Sequence, residues 1–184
     1  MIMGLIVVAI GLLLALWFFG AYNGLVRMRQ EVKSAWSQID VQLKRRHDLI
    51  PNLVEAVKGY IGHERQTLES VIKARQQAID ASALKDKIQA ENMLTQTLRS
   101  LFAVSERYPD LKANQNVMAL QEELTSTENR ISFARQFYNE QAMRLNTAVE
   151  SFPGSLIAGS TGFQKTEFFE LEDPGHRQAP QVKF

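Results

Sequence analysis

The chain opens on an uninterrupted apolar run. Met1 to Tyr22 reads MIMGLIVVAIGLLLALWFFGAY, and no ionisable side chain precedes Arg27 apart from the phenol of Tyr22. A helix of about 20 such residues rises roughly 30 Å, enough to cross the hydrocarbon core of a bilayer. Trp17, Phe18, Phe19 and Tyr22 gather at its far end, and Arg27 and Arg29 follow. Aromatic rings and flanking cations of this kind mark a membrane interface. A cleaved signal peptide carries a basic residue ahead of its apolar stretch and a small-residue cleavage site. No basic residue precedes Leu5, and Phe18-Phe19-Gly20-Ala21 is a poor site. The pattern predicts a retained transmembrane helix over residues 1–24.

Past the span the pattern becomes amphipathic. Leu25, Met28, Val32, Trp36, Ile39 and Leu43 repeat in steps of three and four, one face of a helix. Only Asn23-Gly24 separates them from the span, so one helix is expected from the membrane to about Arg46. Pro51 is expected in the first turn of a second helix, with Asp48 as its N-cap. Leu49, Leu53, Val54, Val57, Ile61, Leu68, Val71 and Ile72 form its apolar stripe, which fades near Asp80-Ala81-Ser82; Gly59 and Gly62 within it suit a close helix–helix approach. A third helix carries Leu84 to Phe102 and ends at Tyr108-Pro109-Asp110. A fourth runs from about Asn116 to Glu150, its apolar positions close to a heptad spacing that suits a coiled-coil seam. No alternating strand pattern appears.

The expected fold is therefore all-α: a transmembrane helix continuing into an antiparallel bundle of about four helices over residues 25–150. A tail over 151–184 holds five of the ten Phe, too aromatic for a disordered segment, and is expected to dock as far as about residue 172.

Composition narrows the chemistry. Lys and Arg total 21 against 20 Asp and Glu, so the basic excess of a nucleic-acid binder is missing. The absence of cysteine removes disulfides, thiolate metal ligands and thiol catalysis. Gly59-Tyr60-Ile61-Gly62 lacks the Lys-Ser/Thr ending and the preceding strand of a phosphate loop, and Ser155 and Ser160 stand in no nucleophile elbow. His63-Glu64 has Thr67 where a zinc helix needs its second His, and His47 and His176 are distant. Glu122-Glu123 and Glu170-Glu172 read as exposed charge. No catalytic residue, metal site or cofactor is expected.

The densest polar stretch is Lys44-Arg45-Arg46-His47-Asp48-Leu49-Ile50-Pro51-Asn52. Two readings compete. The cations and Asp48 complement helix dipoles at a turn, each effect worth about 0.3–1 kcal/mol. Alternatively they grip phosphates, those of lipid headgroups or a nucleotide, or a partner's acidic face. On a straight helix Arg45 and Arg46 lie roughly 30 Å or more past the membrane, beyond electrostatic reach of it in physiological salt.

Tyr22-Asn23-Gly24-Leu25-Val26, Ala35-Trp36-Ser37-Gln38-Ile39-Asp40-Val41-Gln42-Leu43-Lys44-Arg45-Arg46, Asp48-Leu49-Ile50-Pro51-Asn52-Leu53-Val54, Val57-Lys58-Gly59-Tyr60 and His63-Glu64 closely resemble the LemA family. Glu128-Asn129-Arg130-Ile131, Ala134-Arg135, Tyr138-Asn139, Phe152-Pro153 and Phe168-Phe169-Glu170 extend the resemblance to about residue 172. It implies a bacterial protein with one N-terminal anchor and a helical bundle, and a link to membrane organisation through a magnetosome branch. Candidate interaction residues are Lys44, Arg45, Arg46, Asp48, Pro51, Asn52, Lys58 and Tyr60.

From residue 27 to 46 six cations face only Glu31 and Asp40. Positive flanks stay inside, so the expected location is the bacterial inner membrane, single-pass, with the bulk cytoplasmic and the N-terminus outside. The expected partners are the bilayer, further copies of the chain, or another membrane protein such as a protease or transporter. The expected role is a non-enzymatic scaffold, the alternative an adaptor.

Overall fold

A computed structural model describes residues 1–60 and 64–170, and among them it contains six helices and no strand. These are α1 (Ile2–Lys58), α2 (Arg65–Asp80), α3 (Leu84–Ser105), α4 (Pro109–Lys112), α5 (Gln115–Glu150) and α6 (Gly154–Thr161). The protein is all-helical. Two short helices, α4 and α6, add to the four long ones expected from periodicity. α4 begins at the break expected at Tyr108-Pro109-Asp110, and α6 lies in the tail.

The apolar beginning of α1 is long enough to cross a membrane, and none of it is buried against the protein. Helical structure continues through Asn23-Gly24 and also through Pro51, which lies inside α1 rather than at the start of another helix. Asp48 is therefore not an N-cap. A proline lacks the N–H that would bond the carbonyl four residues back, here that of His47. That carbonyl instead accepts a hydrogen bond from Arg75 Nε on α2 at 2.7 Å. The substitute donor keeps α1 unbroken. Arg75→Met is expected to cost about 1–3 kcal/mol, the loss of a bond to a partly buried carbonyl. Pro51→Ala restores the helical donor, so the same Arg75 change should cost much less beside it. A denaturation double-mutant cycle checks this, and additive costs would refute it.

Where the stripe suggested that helix would continue past Gly59, α1 ends at Lys58. A methyl added at Gly59 would meet nothing among the described residues, so no close helix approach is seen there. Ile61, Gly62 and His63 lie outside the described residues.

The chain divides into two compact units, each taking part of α1 and part of α5. The first comprises Met1–Val41 and Ser132–Phe168. Leu25, Val32, Ala35 and Ile39 on α1 are buried, as are Tyr138, Ala142 and Leu145 on α5. Trp36 packs edge-on against Tyr138, ring centroids 5.6 Å apart. After α6, Gly162 adopts a left-handed φ of 75°, and the amides of Gly162 and Phe163 both donate to Ala158 O. The chain then lies along α5. Asn146 donates to Thr166 O at 2.9 Å and accepts from Thr166 N at 2.8 Å, the pairing a backbone neighbour would make.

The second unit comprises Gln42–Ile131 and the chain from Phe169 onward. Its core joins Ile50, Leu53 and Val57 of α1 to Leu68, Val71 and Ala74 of α2, Leu94, Leu98 and Leu101 of α3, Leu111 of α4, and Val117 and Leu124 of α5. Ile72, expected in the stripe, is exposed. Phe169 is buried and Asn92 Nδ2 donates to Glu170 O at 3.2 Å. Docking as far as residue 172 lies outside the described residues.

Candidate functional site

Two groups of side chains stand out, one in each unit. In the first unit Trp17, Phe18 and Phe19 are exposed at the end of the apolar run. Tyr22 is half-buried, its ring edge-on to Phe163 at 5.9 Å, and the Arg29 guanidinium lies 4.8 Å above the Phe163 ring. Arg27 is exposed. Phe163, absent from the residues expected at the interface, thus binds the tail to the helix at that level.

In the second unit the basic stretch divides between two faces of α1. Lys44, Arg45, Asp48, Pro51 and Asn52 are exposed, with Arg45 paired to Glu123. Arg46 and His47 are buried. They lie three and four residues from Leu43 and Ile50, on the core stripe, and that spacing was the signal for their burial. Arg46 pairs with the fully buried Glu91, donates to Glu128 Oε2 at 2.6 Å, and donates to Thr95 Oγ1 at 2.8 Å. His47 Nε2 lies 2.9 Å from Glu91 Oε1, and neither atom has another hydrogen-bond partner among the described residues. With Arg75 on the His47 carbonyl, the network ties α1, α2, α3 and α5. Glu91, Thr95 and Glu128 could not be assigned to it from sequence, because no local spacing links them to Arg46.

Lys58 approaches Glu55 at 4.0 Å and lines a groove of about 560 Å³ with Val54, Arg65 and Leu68. Tyr60 accepts a hydrogen bond from Asn114 at 2.9 Å. No group of three metal-ligating side chains occurs among the described residues; His63, Glu172 and His176 lie outside them.

Burial would raise the Glu91 carboxyl, but pairing with His47 and the charge of Arg46 outweigh it and hold its pKa below the ordinary 4.5. A depressed folded-state pKa means the unfolded chain takes up the proton first. This contribution to stability is complete above the unfolded value and is lost as pH falls through the folded one. Glu91→Gln should therefore flatten the fall in stability between about pH 6 and pH 3, measured by denaturant titration. An unchanged acid slope would contradict the assignment. In the first unit, burial and then the nearby Glu167 charge push the Tyr138 phenol up to about 12; its hydroxyl donates to Glu167 O at 2.9 Å.

The LemA family model matches residues 35–184, most of the chain. The chain belongs to the LemA family. The match begins at Ala35 and takes in the whole buried network, while the apolar run precedes it. Magnetosome protein MamQ of Magnetospirillum gryphiswaldense is 23% identical over 180 aligned positions, covering 84% of this chain and 66% of the relative. MamQ 2 of Paramagnetospirillum magneticum is 24% identical with the same coverage. Protein LemA of Metamycoplasma hominis is 23% identical over 157 positions, covering 85% of this chain and 72% of the relative. The chain thus spans just under two thirds of the length of the MamQ relatives. LemA membership together with an exposed apolar helix points to membrane anchoring.

Proposed function

We propose that this LemA-family chain is a non-enzymatic, membrane-anchored scaffold that self-associates and helps organise the membrane that holds it. The observation that carries this reading is α1: from Ile2 to Gly20 it is apolar and exposed, and the same helix then enters the core. On this reading residues 1–24 span the bilayer, 25–150 form an antiparallel bundle with a coiled-coil-like seam along α5, and 151–184 form the tail. Two features support self-association. Gly4, Gly11 and Ala15 share one side of the span, a spacing that permits close anchor packing. Phe133 and Phe137, one turn apart on α5, are 70% and 43% exposed. The MamQ relatives are magnetosome proteins, which agrees with a membrane-organising task. The cations after residue 27 favour a cytoplasmic bulk, at the inner membrane of a bacterium.

Cross-linking in native membranes at near-native expression tests the reading. Dimers and larger species of the chain itself are expected; monomer alone would overturn self-association. A C-terminal reporter active only outside the cytoplasm would overturn the orientation.

A second reading, an adaptor for another membrane protein, draws on the exposed Lys44, Asp48 and Asn52 face of α1. Its test is Lys44→Glu, which should abolish co-purification of a partner while sparing self-association. Arg46 is unsuitable for such a test because its charge is buried.

A further inference from the structure

After α5 the chain passes through Phe152-Pro153 into α6 and on to Phe163. From Ser151 to Gln164 it carries no ionisable side chain. Ile157, Ala158 and Phe163 are buried with Leu25, against Ala21, Tyr22 and Val26. These are the residues at which the apolar run ends. The level of the turn follows from the contacts. Tyr138 lies against Trp36, while Ala148 and Val149 join the cluster of Leu25 and Val26. Advancing along α5 therefore moves toward the start of α1. α5 ends at Glu150 and α6 begins at Gly154, so Phe152 lies in the turn just past that end of α5, and Leu156 adjoins Ile157 of the Leu25 cluster. Yet Phe152 is 81% and Leu156 65% exposed.

We propose that Phe152 and Leu156 insert into the headgroup–acyl boundary of the bilayer that α1 spans. The inference rests on the membrane-anchored reading above. Lipid is the occupant because the segment from Ser151 to Gln164 packs where the span ends, beside Tyr22, where apolar rings partition to the interface, and itself carries no charge that insertion would desolvate. Phe133 and Phe137, equally apolar, lie well over a dozen residues earlier on α5 and away from that level. With α6 seated in the interface, α1 has two contacts with the membrane, and its rotation about its own axis is set by the side on which α6 packs.

The chain has no cysteine, so single-cysteine variants of the full protein accept one environment-sensitive fluorophore each. Phe152→Cys, Leu156→Cys, Phe133→Cys and Leu13→Cys would be labelled with NBD and reconstituted in phosphatidylcholine/phosphatidylglycerol vesicles carrying nitroxide lipids. Labels at 152 and 156 should be quenched by shallow nitroxides about twofold or more above the label at 133, and shielded from aqueous iodide. Equal iodide access at 152, 156 and 133 would overturn the proposal. Shielding without lipid quenching would also overturn it, since a second copy of the chain would then be the cover. The label at 13 keeps the two readings apart. Deep quenching there with none at 152 defeats the second contact alone, whereas iodide access at 13 defeats the anchor itself.

Discussion

Arg46→Met is expected to be the most damaging single change outside the apolar core. The guanidinium is 1% exposed and pairs with Glu91, which is fully buried, while reaching Glu128 and Thr95 as well. Its removal leaves two carboxylates close together, one of them out of water with only His47 for company. Breaking a buried pair in this way costs about 3–5 kcal/mol. For a chain of this size that corresponds to a fall of roughly 10 °C in Tm, read by circular dichroism of the full protein in detergent. Adding Glu91→Leu should restore part of the loss, because the orphaned charge goes with it. Arg46→Lys should rescue poorly, since an ammonium is a point charge without the planar fork that spans three acceptors. A cost for Arg46→Met within about 1 kcal/mol, the worth of an exposed pair, would show the network to be ornamental.

The same residue shows where sequence reading succeeds and fails. The start of α3 and the extent of α5 were legible nearly to the residue, whereas α1 runs on past Arg46 to Lys58 and α2 begins only at Arg65. α3 begins at Leu84 and α5 covers Gln115–Glu150, where the stripe placed them. Along α5, Val117, Leu124, Ile131, Tyr138 and Leu145 are buried at a strict seven-residue interval. Arg46 was misplaced because three cations in a row look like a solvated patch, although its spacing from Leu43 and Ile50 set it on the core face. Pro51 was misplaced for a different reason. Local rules place a proline at a helix start, and the donor that overrides them, Arg75, comes from another helix. Glu91 and Glu128 were invisible as partners because only tertiary structure brings them to Arg46. The apolar leader was the easiest feature to read, since bilayer thickness translates directly into residue count.

The two glycines of α6 cannot be told apart in the sequence, yet they should respond oppositely to alanine. A methyl at Gly154 would overlap the carbonyl oxygen of Ala148 and come 3.2 Å from its carbonyl carbon. That obstacle is backbone at the end of α5, so no side-chain rotation relieves it. Either α5 or the α6 turn must move, at a cost of about 1–3 kcal/mol for overpacking. A methyl at Gly159 meets nothing among the described residues and removes a flexible residue from a helix, so Gly159→Ala should be neutral or stabilise by about 0.5–1 kcal/mol. The difference has a specific location. If α6 is displaced, Ile157, Ala158 and Phe163 leave Leu25, and the cap of α6, in which the amides of Gly162 and Phe163 donate to Ala158 O, loses the packing that shields it. Hydrogen exchange should then quicken at residues 157–163 in Gly154→Ala, with α2 and α3 unaffected. Equal protection in the two variants would mean that close contact with α5 does not hold α6 in place. The placement of Leu156 next to the Leu25 cluster would then lose its structural cause.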